Sequence, residues 1–207
     1  MPPRQNRVTP WGTIVADSGR GLFFGNRGNL HNRGETIVRP WKSRAWVTCL
    51  LRFKGRRRQL LQPGRYTELF FLDEATALAA GHRPCGECRR HDLEHFKQTW
   101  AVAVGAQDTL ADIDRRLHLD RVGPDKGQRT FAAVCAGLPD GTYIERAGAA
   151  WLVHDQALHR WSPAGYVEQA VPRPAETVHV LTPRCTVAVL SAGYRPVLHP
   201  TAQGPVA

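Results

Sequence analysis

Two cysteines near the middle of the chain have the types and spacing of metal ligands. Cys85 and Cys88 are separated by two residues and follow Pro84, which suits the first turn of a helix. In such a turn, free backbone N–H groups and the helix dipole stabilise thiolates. Two thiolates at this spacing form half of a tetrahedral zinc site. The sequence therefore predicts a Zn²⁺ knuckle that needs two further ligands.

The residues before this knuckle predict the elements that precede it. A strand predicted over residues 66–72 leads into Asp73, whose side chain can accept hydrogen bonds from the free N–H groups of a helix. Glu74 suits the positive N-terminal end of that helix, and Gly81 can adopt the left-handed conformation that ends it. We therefore expect a strand, a short capped helix and then the knuckle.

The helix that follows the knuckle has two distinct faces. At about 100° per residue, Leu93, Phe96 and Trp100 fall on one side, which is the predicted core face. Cys88, His91 and His95 fall together on the opposite side, so one of these histidines could complete the metal shell. His91 is the best candidate ligand from within the knuckle, and the alternative is an exposed or helix-packing histidine.

Candidate ligands outside the knuckle are Cys49, on a strand predicted over residues 45–53, and His31, in the glycine- and asparagine-rich loop 25–35. If both bind, the site is closed and structural, which is the usual role of knuckles of this spacing. If only three protein ligands bind, the open position would hold a water of lowered pKa. The candidate general bases for that water are Glu68, Glu74 and Glu87.

Length and cysteine usage restrict the class of protein. A chain of 207 residues can form one large or two small domains. Its sequence contains no run near the roughly 18 apolar residues of a membrane helix, and its N-terminus lacks the apolar core of a signal peptide. The five cysteines include one close pair, which in a reducing compartment is more often a metal or redox pair than a disulfide. We expect a cytoplasmic protein with no membrane partner.

The positive charge is concentrated in the half of the chain that contains the knuckle. Residues 1–100 carry 18 Lys and Arg against 8 Asp and Glu, whereas residues 101–207 carry 10 of each. Aromatic residues, including Trp46 and Tyr66, are interleaved with or adjacent to the densest basic run, and arginine with aromatic rings is typical of nucleic-acid surfaces. The alternative is a solvated hairpin tip. The candidate nucleic-acid-binding residues are Arg52, Lys54, Arg56, Arg57, Arg58, Arg65, Arg83, Arg89 and Arg90.

The remaining elements are predicted from turn residues and apolar alternation. Residues 1–10 are expected to form a mobile arm. Further strands are predicted at 12–16, 21–24, 57–61, 141–146, 149–154 and 157–161, with a turn at 54–56 and helices near 109–118 and from Thr182 to Gly193. Trp46, in an apolar strand, is expected in the core rather than in a stacking position.

Three short segments recur in the same order in the two halves of the chain. GTIVADSGRGLFF is similar to GTYIERAGAAWLV, LLQPGRY to HRWSPAGY, and AAGHRP to SAGYRP. This pattern predicts an α+β protein with two small lobes of antiparallel strands and short helices, residues 1–103 and 104–207, related by internal duplication. The second lobe, without the knuckle or the basic run, would serve structure, a protein partner or self-association. The alternative is chance recurrence of turn and cap motifs.

FFLDEATALAAGHRPCGECRR resembles the second half of the zinc-binding domain of the adaptive-response (Ada) DNA alkylation repair proteins, over about residues 68–90 and more loosely over 12–90. The resemblance implies that Cys85 and Cys88 are the second pair of zinc cysteines. GLFFGNRGN, residues 21–29, is similar to the segment with the first pair but lacks both cysteines. One of those cysteines accepts a methyl group from DNA phosphotriesters in the family. The resemblance therefore implies a zinc protein that binds DNA, with RNA less favoured. It would act in DNA repair or damage response, without methyl transfer.

Three enzymatic functions are alternatives, and each of them would use Cys85 and Cys88. A zinc-dependent hydrolase or nuclease acting on nucleic acid requires the open site described above. A zinc deaminase is less favoured, because the PCxxC motif is present but the HxE motif is absent from the sequence. A thioredoxin-like redox pair is less favoured still, because the flanking Arg83, Arg89 and Arg90 do not resemble that active site.

Overall fold

The computed structural model describes residues 2–56 and 59–203, without the side chains of 168–170 and 203. The chain is an α+β protein with two six-stranded sheets, in which most neighbouring strands are antiparallel. The N-terminal sheet has the order β2-β1-β5-β3-β4-β6. Its strands are β1 (Gln5–Val8), β2 (Ile14–Ala16), β3 (Phe23–Asn26), β4 (Val47–Leu50), β5 (Leu69–Phe71) and β6 (Arg83–Pro84).

The second sheet has the order β11-β10-β9-β8-β12-β7. Its strands are β7 (Phe131–Val134), β8 (Tyr143–Arg146), β9 (Ala149–His154), β10 (Ala157–Ser162), β11 (Gly165–Pro172) and β12 (Thr177–Val180). The helices are α1 (Glu74–Ala79), α2 (Arg90–Val104), α3 (Leu110–Arg121) and α4 (Arg184–Ser191), with 3₁₀ turns at Cys135–Gly137 and Pro200–Gln203. None of the helices in the described part of the chain is both long and apolar enough to cross a membrane.

Helix α1 lies in the core between the two sheets, and all six of its residues are buried. Asp73 caps it by accepting hydrogen bonds from Thr76 N at 2.8 Å and Thr76 Oγ1 at 2.8 Å. The second Asp73 oxygen accepts from Tyr166 Oη at 2.6 Å and from His199 N at 3.1 Å. Gly81 follows with φ of 80°. The predicted cap and stop are confirmed, and the cap also binds the second lobe to α1.

The helices α2, α3 and α4 share a further apolar cluster. The predicted core face of α2 is confirmed, since Leu93, Phe96 and Trp100 are all buried. Phe96 and Trp100 pack with Ile113 and Leu117 of α3, and with a group on and after α4 that comprises Val189, Leu190 and Tyr194. The two halves of the chain are therefore joined by a common core as well as by α1.

Several predicted elements differ from the structure. The expected mobile arm contains β1, which pairs with β2 and β5, because its buried Val8 belongs to the core of the first sheet. The strand predicted over 45–53 spans only Val47–Leu50, and Gln59 to Leu61 form no strand. Arg57 and Arg58, the first residues of the strand predicted over 57–61, lie outside the described residues. The edge strands β2 and β6 are short, so their formation depends on the neighbouring strand more than on local pattern.

The recurring segments AAGHRP and SAGYRP match in backbone detail. In AAGHRP and SAGYRP, Gly81 and Gly193 both have positive φ after a helix. His82 N donates to Ala77 O at 2.9 Å, and Tyr194 N donates to Val189 O at 3.2 Å, which is the same helix-ending pattern. By contrast, β2 pairs with β1 whereas β8 pairs with β9. The duplication stays a prediction.

Candidate metal centre and basic surface

Three cysteines from two parts of the first lobe meet at one point. The Sγ atoms of Cys49, Cys85 and Cys88 all lie within 4.8 Å of one another. Three sulfurs on one tetrahedral ion, each about 2.3 Å from it, would be about 3.8 Å apart. The observed cluster therefore has the size that a metal ion requires, and it can hold one with little movement of the chain.

The strand pairing explains why these cysteines meet. Strand β4 pairs in parallel with β6, with Thr48 opposite Pro84, and Cys85 N donates to Thr48 O at 2.9 Å. This contact places the start of the knuckle beside Cys49. Two backbone N–H groups then point at sulfur, from Leu50 to Cys88 Sγ and from Glu87 to Cys85 Sγ, each at 3.4 Å. Such N–H donors stabilise thiolates and orient them for a cation.

The three thiols influence one another's ionisation. A hydrogen bond from Cys49 is the main cause that lowers the pKa of Cys85 to about 5. The same contact raises the pKa of Cys49, and burial raises the pKa of Cys88. The cluster therefore favours one thiolate stabilised by its neighbours. A divalent cation at this position would favour the ionised form of all three, because metal binding releases thiol protons.

The candidate histidine ligands lie elsewhere. His31 is buried, with Nδ1 2.6 Å from Thr67 Oγ1 and Nε2 3.2 Å from Gln62 O, so both ring nitrogens already have partners. His91 projects into solvent with 99% of its side chain exposed. Across residues 2–56 and 59–203, no other histidine, cysteine or carboxylate joins the three sulfurs within that 4.8 Å limit. The described chain thus brings together three of the five candidate ligands.

The segment similar to the first cysteine pair of the Ada domain lies next to this cluster. Phe24 of β3 is the register partner of Cys49 on β4. The third thiol, that of Cys49, therefore comes from β4, the strand next to β3, which lies within the Ada-like segment.

The three candidate general bases have different environments. Glu68 is buried and accepts a hydrogen bond from Leu61 N at 2.9 Å. Glu74 is buried and pairs with Arg89 at 2.8 Å. Glu87 lies between Cys85 and Cys88 in the knuckle, is exposed, and pairs with Arg56 at 2.6 Å. Glu87 is thus the candidate that adjoins the cluster.

An exposed basic surface borders the knuckle, and Arg56 connects the two through its pair with Glu87. Lys54 Nζ and the guanidinium carbon of Arg56 lie over the ring of Phe53, 5.2 Å and 5.6 Å from its centroid. Arg57 and Arg58 are outside the described residues. We define the basic surface by its exposed, described members, which are Arg52, Lys54, Arg56, Arg65 and Arg90.

Two of the candidate nucleic-acid-binding arginines are instead part of the core. Arg83 is 3% exposed and donates two hydrogen bonds of 2.8 Å to Asp114. Arg89 is 4% exposed and bridges Glu74 and Asp92, each at 2.8 Å. Their guanidinium groups therefore neutralise the buried carboxylates of Asp114 and Glu74 and do not face solvent. Trp46 is buried, as predicted.

Two further arginines that the sequence does not single out, Arg27 and Arg121, are buried beside Trp46. No local pattern distinguishes them from surface arginines, because their burial depends on loops that meet only in the folded chain.

No protein-family model, no curated protein and no solved structure matches the chain. The resemblance to the Ada zinc domain therefore depends on the motif residues themselves.

Proposed function

We propose that Cys49, Cys85 and Cys88 hold a zinc ion and that the basic surface beside it binds nucleic acid, with DNA preferred over RNA. The observation that carries this proposal is the meeting of three thiols within 4.8 Å of one another at the knuckle that the basic surface borders. The resemblance to the Ada domain supports DNA repair or damage response as the process.

Zinc is the metal best supported by the donor set. Thiolates are soft ligands, and cysteine-rich sites with a CxxC pair are typical of structural zinc. Bound zinc would supply a cross-link between β4 and the knuckle and a Lewis acid at any position not filled by protein. The chain's own N–H groups at Leu50 and Glu87 orient two of the sulfurs, and the exposed Arg56–Glu87 pair connects Arg56 of the basic surface to the same loop.

Nucleic acid is supported by the charge and ring content of the basic surface. Its five described cations can bind phosphates, and arginine does so with two parallel hydrogen bonds. Tyr66 is exposed beside this surface, and its ring can stack on a base. The sheet and the cross-linked knuckle would hold these groups in a fixed arrangement against the polyanion.

The metal is tested by elemental analysis of protein purified without added metal. We expect about one zinc ion per chain and, after exchange for cobalt, the absorption bands of thiolate coordination. Cys49→Ser should reduce the metal content, whereas Cys185→Ser, a control far from the cluster in sequence, should leave it unchanged. A wild-type protein without stoichiometric metal would sink the proposal.

Nucleic-acid binding is tested by fluorescence anisotropy with duplex DNA, single-stranded DNA and RNA at several salt concentrations. The logarithm of affinity should fall with the logarithm of salt concentration by about one unit per phosphate contact. Combined replacement of Arg52, Lys54 and Arg56 by Gln should reduce that slope by up to about three units. The matched control replaces three exposed arginines of the second half, Arg115, Arg146 and Arg195, and should change little. Equal losses in both triple variants would contradict a specific surface.

A second candidate is a zinc-dependent hydrolase acting on nucleic acid. The specific observation in its favour is that the described residues bring only three ligands together, with the exposed carboxylate of Glu87 in the same loop. Glu87→Gln should then abolish metal-dependent cleavage of DNA or RNA while zinc content and affinity remain. Binding without any turnover by the wild-type protein favours the binding function instead.

A further inference from the structure

A pocket of about 480 Å³ has Trp46 in its lining and contains none of the three cysteines of the cluster among its lining residues. Its walls come from the turn after β1, from residues 37–41 and from residues 121–128. Four cations line it, namely Arg27, Arg39, Arg121 and Lys126. No carboxylate from the described part of the chain lines the pocket. Its charge is therefore strongly positive and unbalanced.

Two of the four cations are buried. Arg27 is 2% exposed; its Nε donates to His82 Nε2 at 3.3 Å and its Nη1 to Gly12 O at 2.9 Å. Its Nη2 has no hydrogen-bond partner among the described residues. Arg121 is also 2% exposed and donates to the backbone oxygens of Gly81 and Arg44. Its Nε likewise lacks a partner in the described chain.

Neither buried guanidinium has a counter-ion within residues 2–56 and 59–203. The partners of Arg27 and Arg121 are neutral, and Asp114, whose charge acts on Arg121, is held by Arg83 through two hydrogen bonds. Both guanidiniums lie over the ring of Trp46, at 4.1 Å and 3.7 Å from its centroid. Burial lowers the pKa of Arg27 to about 9. Because unpaired buried charge is unfavourable, this arrangement favours binding of an anion.

The pocket also presents an unused acceptor. Gln128 Nε2 donates to Ala79 O at 2.9 Å and to Leu181 O at 2.5 Å, which fixes the amide, and its Oε1 has no partner in the described chain. A Cβ on Gly12 would lie 3.1 Å from Gln128 Oε1 and 3.7 Å from Arg27 Nη2. The unpartnered acceptor and the unpartnered donor therefore both lie beside Gly12, where a side chain would crowd Gln128 Oε1.

Two indole rings complete the lining. Trp11 is fixed by a hydrogen bond from its Nε1 to Glu145 at 2.7 Å, and Trp41 lies edge-on to His118 with ring centroids 4.6 Å apart. The buried Nε1 of Trp41 has no partner among the described residues. Rigid indole surfaces suit a planar ring, and a volume of this size suits a small organic ligand.

We propose that this pocket binds a nucleoside monophosphate, with the phosphate at Arg27 and Arg121, the base against Trp11 and Trp41, and Gln128 Oε1 accepting a base or sugar hydrogen. Phosphate suits the site better than a carboxylate because its charge approaches −2 and it has more acceptor oxygens for four cations. Arg39 and Lys126, both exposed at the rim, would attract the same group. This site goes beyond the proposed function, since it involves none of the metal-binding residues.

The test uses the full-length, metal-loaded protein and isothermal titration calorimetry with AMP. Adenosine is the matched probe without charge, and inorganic phosphate is the matched probe without a ring. We expect AMP to bind at a single site, and each of the other two to bind at least about tenfold more weakly. AMP that does not saturate, or adenosine that binds as well as AMP, would overturn the proposal.

Variants at the rim avoid the risk that a buried substitution prevents folding. Arg39→Ala should weaken AMP binding several-fold, whereas Arg33→Ala, with the same charge change in the same exposed segment but outside the pocket, should not. Arg27→Lys, which keeps the charge but loses the planar donors, should weaken AMP by about tenfold or more. AMP affinity unchanged in both Arg39→Ala and Arg27→Lys would also overturn the assignment.

A phosphate with a base could come from a free nucleotide or from a nucleotide within a strand. If a short single-stranded oligonucleotide displaces AMP from the pocket, the natural ligand is a nucleotide within a strand. If AMP binds and the oligonucleotide does not displace it, the natural ligand is a free nucleotide. The Arg52, Lys54 and Arg56 triple variant separates this site from the proposed function. It should lose affinity for DNA at the basic surface while it keeps its affinity for AMP.

Discussion

Thr48 and Pro84 are register partners across the parallel strands β4 and β6. They are far apart in the sequence, yet this pairing brings Cys49 to within 4.8 Å of the two knuckle sulfurs. The metal centre is therefore a property of the sheet edge as much as of the CxxC motif.

Cys49→Ser should lower the affinity for zinc by at least about 100-fold, because a hydroxyl is a poor replacement for a thiolate ligand. Competition with a chelating indicator measures this change. Apparent unfolding free energy in the presence of excess chelator should become similar for the variant and the wild type, since metal binding and folding are linked. A variant with wild-type zinc affinity would place the third ligand elsewhere.

Asp73→Ala should destabilise the protein by about 3–5 kcal/mol. It removes the cap of α1, which contributes about 1 kcal/mol, and leaves the buried Tyr166 hydroxyl and His199 N–H without their acceptor. Urea denaturation measures the loss. Asp73→Asn, which keeps an acceptor for Thr76, is the control and should lose less. If both variants lose the same free energy of unfolding, the hydrogen bonds from Thr76 to Asp73 contribute no stability of their own.

Arg89→Met should cost about 3–5 kcal/mol, since it leaves the buried Glu74 carboxylate without its cation. The exposed neighbour Arg90→Met should change stability by less than about 0.5 kcal/mol. Combining Arg89→Met with Glu74→Gln should recover part of the loss in urea denaturation. If Arg89→Met instead weakens DNA binding with no change in stability, the residue belongs to the basic surface after all.

Acid should destabilise the wild-type protein partly through His82. This imidazole is fully buried beside Arg27 and Arg121, and burial is the main cause that holds its pKa well below the ordinary value. In the unfolded chain this imidazole gains a proton near pH 6.5, whereas in the folded chain it stays neutral to lower pH. As the pH falls below about 6.5, protonation of the unfolded chain therefore lowers the free energy of unfolding by up to about 1.4 kcal/mol per pH unit. His82→Gln should flatten stability against pH between about pH 6.5 and 5. His91→Gln, at an exposed position, is the control and should leave the profile unchanged.

Local signals were sufficient for several elements. Asp73 and Gly81 predict the start and end of α1 because capping depends on residues within one turn. The spacing of Leu93, Phe96 and Trp100 predicts the buried face of α2 because helical periodicity is a local property. The same applies to Cys85 and Cys88, whose spacing alone indicates a metal knuckle.

Other features depended on contacts between distant segments. The sequence predicts one group of basic residues that bind nucleic acid. In the structure Arg56 is exposed, whereas Arg83 and Arg89 are buried. Charge is visible in a sequence, whereas burial depends on which carboxylates the fold brings near, such as Asp114.

The sequence by itself determined the α+β class, the capped helix, the pair of knuckle cysteines and the excess of positive charge in the first half. Only the tertiary structure decided that Cys49 joins the knuckle while His31 does not, and that Arg27 and Arg121 meet at Trp46 without a counter-ion. The physical reason is range: caps and helix faces depend on neighbours within a few residues, whereas ligand sets and buried charges depend on strand pairing and loop packing across the whole chain.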